Sequence, residues 1–212
     1  MGLRFSLVSA ALISGGIYGQ QIVQPGAPGH DGKILSASSL RSAPREPLKA
    51  DVDFMQGMIH HHQQAVEMVD LLKTRGKSKA VQKLGERIRI SQTDEIQFMR
   101  QWLQERGKAV PMEHEHMAHM SGGMDMSSMP PMPGMLTPEQ MKELAAARGA
   151  KFDHLFLTGM IQHHTGALIM VQDLFSSPAT GQDPQLFDFA TDVDSTQTAE
   201  INIMKGLLKE KK

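Results

Sequence analysis

"GMIHHHQQAVEM", residues 57–68, returns later in the chain as "GMIQHHTGALIM", residues 159–170. Each copy sets a His-His pair between two methionines. Around the first copy, apolar residues recur at helical spacing: Phe54, Met58, Ala65, Met68, Val69 and Leu72. At about 100° per residue, His61 falls inside that stripe and His62 on its edge. His60 falls on the far side, and its counterpart is Gln162, so it reads as a solvated bystander. The repeat reaches further out. Asp51, Phe54, Met58, His61, His62 and Met68 recur 102 residues on as Asp153, Phe156, Met160, His163, His164 and Met170. "QTDEIQFM" from Gln92 is matched by "QTAEINIM" from Gln197, an offset of 105.

Each half therefore reads as a helical hairpin. The first spans 49–106, with Gly76 as the break and Ser78 as the cap of a second helix carrying Val81, Ile88, Ile96, Met99 and Leu103 on one face. In the second half, 137–212, "TPEQ" from Thr137 starts a short helix: Thr caps, Pro fits the first turn and Gln140 sits three residues on. A long helix follows from about residue 150 to 175, and Asp183 and Pro184 open the last one. A hairpin of amphipathic helices cannot cover its own apolar face. Two such hairpins predict an all-α fold, an antiparallel four-helix bundle with a pseudo-twofold axis.

The stripes carry polar residues. Gln92 lies at the centre of its apolar face with Glu95 beside it, and Gln197 and Glu200 hold the same places among Leu186, Val193, Ile201, Met204 and Leu208. An unpaired buried polar group costs roughly 1–3 kcal/mol on mutational scales. Two explanations stay open: a hydrogen-bonded layer that fixes helix register, or a metal site. The candidate ligands are Met58, His61, His62, Met68, Gln92, Glu95 and Met99, with Met160, His163, His164, Met170, Gln197, Glu200 and Met204 in the second half. Imidazole with thioether suits copper: methionine favours Cu(I), and histidine also takes Cu(II). An ordinary imidazole, with a pKa of about 6.5, would release Cu(II) in mild acid. Gly57 and Gly159 each cost about 1 kcal/mol in a helix interior, which points to a neighbouring helix passing close by.

Between the hairpins, 107–136 is a different material. Residues 112–135 hold eight of the chain's 17 methionines, with His114, His116 and His119 interleaved. Gly122, Gly123, Pro130, Pro131 and Pro133 forbid a helix there. A linker has no packing reason to gather thioethers, and exposed methionine oxidises. Met112, His114, His116, Met117, His119, Met120, Met124 and Met126 thus read as a copper or silver trap, with compositional drift as the alternative.

The rest of the composition excludes. Of 212 residues 40% are hydrophobic and 21% charged, and the net charge is −1. A core is expected, and nothing invites nucleic acid or an anionic membrane. Without cysteine there is no disulfide, thiolate metal site or thiol nucleophile. Residues 1–19 resemble a signal peptide: Arg4, then an apolar run from Phe5 to Ile13 too short to span a bilayer. Residues 20–48, rich in Pro, Gly and Ser, read as a flexible lead-in. The mature protein is expected outside the cytoplasm, periplasmic or extracellular, and free of the membrane.

"DVDFMQGMIHHHQQAVEMV" and "DHLFLTGMIQHHTGALIMV", each followed by "Q..EI..M", resemble the domain-of-unknown-function 305 family. The resemblance implies a ferritin-like helical bundle, a family in which some periplasmic members bind copper, and no agreed enzymatic activity. It marks both His pairs with their Met, Gln and Glu companions, together with Asp51 and Asp153. The expected function is an exported copper-binding protein that sequesters, buffers or delivers Cu(I) or Cu(II), not an enzyme, with a copper-transfer partner of unknown identity. A ferritin-like metal-dependent oxidase and a metal-free structural or partner-binding bundle are the alternatives. The oxidase would need more interior carboxylates and the Glu-x-x-His pairs of di-iron bundles, which the predicted helices lack.

Overall fold

The computed structural model describes residues 22–24, 33–35, 46–111 and 132–209. The linker candidates from Met112 to Met126 lie outside them. The chain divides into two compact units, 1–45 and 46–212. In the first, β1 (Ile22–Gln24) pairs antiparallel with β2 (Lys33–Leu35), Val23 opposite Ile34. This short ladder lies in the lead-in, where the sequence shows no periodicity.

The second unit is helical. It contains α1 (Lys49–Arg75), α2 (Lys79–Glu105), α3 (Pro138–Ala146), α4 (Gly149–Phe175) and α5 (Pro184–Lys209). The caps explain the boundaries. Ser78 Oγ accepts from the Val81 amide at 3.4 Å. At α3 the capping box closes in both directions: Thr137 Oγ1 accepts from the Gln140 amide, and Gln140 Oε1 from the Thr137 amide.

Helices α1 and α2 form one hairpin and α4 and α5 the other. Three carboxylates fix how the hairpins dock. Asp51, in the first turn of α1, accepts from the Gly181 amide in the α4–α5 loop at 2.8 Å. Asp153, in the first turn of α4, accepts from the Lys77 and Ser78 amides in the α1–α2 loop at 3.0 and 2.9 Å. Each hairpin thus holds the other's loop, and α1 runs antiparallel to α4. At the far edge, Asp183 accepts from Trp102 of α2 and from Arg106, which caps that helix, and it caps Leu186 of α5, which sets those two helices antiparallel as well. The result is the expected antiparallel four-helix bundle with its pseudo-twofold relation.

The apolar core is split. One cluster gathers Met68, Val69, Leu72, Ile88, Phe152, Phe156, Met160 and Met204 among others. The other gathers Phe54, Met55, Met58, Met99, Trp102, Val171, Leu186 and Val193. The histidines occupy the sequence positions between them.

Candidate metal centre

His61, His62, His163 and His164 are all 0% exposed. His60, by contrast, is half-buried. Because α1 and α4 run antiparallel and meet near their middles, equivalent residues of the two halves come face to face. The rings of His61 and His163 lie 3.8 Å apart between centroids, tilted by 39°. His62 and His164 flank that pair, at 6.4 Å from His61 and 6.1 Å from His163 respectively.

Each ring spends its Nε2 on a fixed partner. His61 Nε2 donates to the Pro133 carbonyl at 2.9 Å. His163 Nε2 donates to the His61 carbonyl at 2.7 Å. His62 Nε2 meets Glu95 Oε2 at 2.5 Å, and His164 Nε2 meets Glu200 Oε2 at 2.7 Å. A carbonyl only accepts, so His61 and His163 carry their protons on Nε2. Burial first, and then the neighbouring histidines, push His61 down to about 3 and His163 well below its ordinary range. Both rings are therefore neutral at physiological pH, with the Nδ1 lone pair free. None of the four Nδ1 atoms has a hydrogen-bond partner among the described residues. Burial raises the Glu95 carboxyl, but hydrogen bonds and charge from His62 and the Ser91 hydroxyl outweigh it, and the net shift is downward.

Gln92 and Gln197 are buried as the stripe predicts. Gln92 Oε1 and both amide atoms of Gln197 lack partners among the described residues. A purely hydrogen-bonded register layer would leave few such orphans, since native proteins pair most buried polar atoms. Met58, Met68, Met99, Met160 and Met204 are 0% exposed and fill the two apolar clusters, so each has a packing role. Met170 is half-buried. Among the described residues no three His, Asp or Glu side chains already converge as a coordination sphere. The donors that fit a metal are thus imidazole Nδ1 atoms, supplemented by thioether or amide, which suits copper better than a hard cation. Asp51 and Asp153 face the loops, not the layer, and add no carboxylate for a di-iron centre.

Two expectations change. Acid release through an ordinary imidazole does not apply to His61 or His163, because burial keeps these rings neutral far below pH 6. The close approach expected at Gly57 and Gly159 is made by side chains of the facing helix and of segment 132–136, not by helix backbone. Met170 and Met132 reach Gly57, and Leu136 and Met68 reach Gly159. The close backbone contact is at Gly166, where an added Cβ would lie 2.0 Å from the Pro133 carbonyl oxygen. Segment 132–136 crosses the bundle there. Gln64 holds it by accepting from the Leu136 amide at 2.7 Å and donating to the Leu136 carbonyl at 3.0 Å. Gln64 and Gly166 belong to no ligand-like motif, yet the sequence carries a signal for them. The repeat aligns them with each other, and a long amide against no side chain marks where the symmetry breaks.

A four-helix bundle with a buried, repeated His-His layer is the class that fold and site define. The chain belongs to the family described as Domain of unknown function (DUF305), which matches residues 51–208. Among solved structures it is similar to a DUF305 fragment from Deinococcus radiodurans (25% identity, TM-score 0.62, 77% of this chain and 98% of that one). It is also similar to a DUF305 protein from Streptomyces coelicolor, described as secreted (30% identity, TM-score 0.61, 76% and 93%). CopM in its Cu(I)-bound form aligns at 26% identity with a TM-score of 0.57, over 76% and 96% of the two chains. CopM is also known in Cu(II)-bound and Ag-bound forms. No curated protein matches the chain.

Proposed function

We propose that this is an exported copper-binding protein whose bundle holds copper at the His61/His62/His163/His164 layer and whose Met/His-rich linker captures Cu(I) or Ag(I). The observation that carries the reading is the set of four buried Nδ1 atoms that have no hydrogen-bond partner among the described residues. With Nε2 anchored, the rings are oriented and their tautomers set before any ion arrives, the arrangement that outer-shell acceptors give metal-ligating histidines. Kinship with a protein that binds Cu(I), Cu(II) and Ag supports the choice of ion. The linker supplies thioethers, which need no deprotonation and so bind in acid. Sequestration or delivery, rather than catalysis, fits four imidazoles that are fully buried. Among the described residues no helix is long and apolar enough to cross a membrane, and the signal-like first 19 residues support export.

The test is metal analysis of protein purified without an affinity tag, followed by Cu(I) and Cu(II) competition titrations. The full chain is compared with a variant lacking residues 112–130, and with that variant carrying His61→Ala and His62→Ala. The deletion should lower Cu(I) capacity and leave Cu(II) binding in place, and the alanines should then remove Cu(II) binding. Undiminished Cu(II) binding after both changes would make the histidines a polar layer only.

A further inference from the structure

Segment 132–136 lies lengthwise along the seam between α1 and α4. Its register is pinned by His61 on Pro133, by Gln64 on Leu136, and by Gly134 seated on Gly166 with a φ of +74°. Its two ends face equivalent places of the pseudo-twofold. At one end, Leu136 Cδ2 and Met68 Cε lie 3.0 and 3.2 Å from where a Cβ on Gly159 would be. At the other, Met132 Sδ and Met170 Cε lie 3.6 and 3.5 Å from the same point on Gly57. Gly57 is paired with Gly159 and Met170 with Met68 by the repeat, so Met132 stands where the other end has a leucine.

The two ends differ in access. Leu136 and Met68 are buried, whereas Met132 and Met170 are half-buried. An open groove of about 450 Å³ runs to the Met170 end, lined also by Pro133, Asp53 and Asp173. The hollow at the Leu136 end is about 130 Å³ and has no methionine in its lining. Packing alone is served by leucine, as the buried end demonstrates. Two methionine side chains converging on a bare glycine, Met132 through its sulfur and Met170 through its methyl, with Met170 in the wall of a groove and the glycine one helical turn from His61, call for another reason.

We infer that Met132 and Met170 form a two-thioether site for a soft monovalent cation, Cu(I) or Ag(I), at the junction of the Met-rich linker and the bundle. Thioether sulfur is a neutral, polarizable donor that selects such ions over hard ones. Gly57 leaves the floor of the site open. Met132 belongs to the linker's methionine run and is held against the bundle by its neighbour Pro133, so the pair is where metal gathered by the linker meets the helices. Its role as the doorway to the histidines rests on the function proposed above; the pair itself does not.

The experiment uses the full chain with methionine methyl groups labelled with carbon-13, titrated with Ag(I) and followed by NMR. Met132→Leu and Met170→Leu assign the two signals. Leucine conserves volume and already occupies the matching place at Leu136, so both variants should fold, and unchanged circular dichroism checks this. The Met132 and Met170 signals should move together with one saturation curve. In Met170→Leu the Met132 signal should need at least tenfold more Ag(I). Stationary Met132 and Met170 signals while other methyls move would overturn the site, and so would a Met132 response unaffected by Met170→Leu. A pair that binds Ag(I) in protein whose histidine signals ignore Cu(I) and Cu(II) would sink the histidine reading and leave the thioether site standing.

Discussion

At the residue scale, His61 and His163 make acid sensitivity a property of folding. Burial depresses both, so below about pH 6.5 the unfolded chain takes up protons that the folded chain refuses. Stability is full above the unfolded value and falls as pH drops, by about 1.4 kcal/mol per pH unit for each ring. For His61 the loss continues down to about 3. Urea unfolding of metal-free protein should therefore show a midpoint that declines steadily from pH 7 to pH 5, and a flat profile would contradict neutral burial. The glycines separate in the same way. A Cβ at Gly57 meets only ordinary contacts at 3.5 and 3.6 Å, so Gly57→Ala should be tolerated, with up to about 1 kcal/mol regained from helix propensity. Gly166→Ala would drive a methyl into the Pro133 carbonyl. It should unseat segment 132–136 and destabilise by about 1–3 kcal/mol, read by thermal melting and by proteolysis near residue 134.

At the scale of elements, the docking of the hairpins depends on two equivalent carboxylates. Asp51 and Asp153 each satisfy backbone amides in the opposite hairpin's loop. Asp51→Ala or Asp153→Ala leaves those amides unpaired, at about 1–3 kcal/mol each. Both variants should melt earlier in the metal-free state and keep their copper stoichiometry. A change in stoichiometry without a change in melting would instead make them ligands. The sequence placed Asp51 and Asp153 in the repeat, and the family resemblance marked them with the candidate ligands. It could not tell a loop pin from a ligand, because the loops they hold lie 75 to 130 residues away.

At the scale of the whole molecule, two apolar clusters on either side of the histidine layer give the bundle a core independent of any ion. The metal-free protein should show the far-ultraviolet circular dichroism of a predominantly helical chain, and a coil spectrum that turns helical only on copper addition would refute this. By itself, the sequence determined the helices, their hairpin pairing and the identity of the buried polar residues. Those are local matters of periodicity, capping and repetition, and the spacing of Phe54, Met58, Ala65 and Val69 already carries them. The tertiary structure alone decided which histidine nitrogens are engaged, since Pro133, Glu95 and Glu200 reach the rings from other elements. It also decided that the halves are not equivalent. A repeat predicts symmetry, but one linker can run along the α1–α4 seam only once and in one direction. Met132 therefore lands at one end and Leu136 at the other, and that choice is made by packing on Gln64 and Gly166.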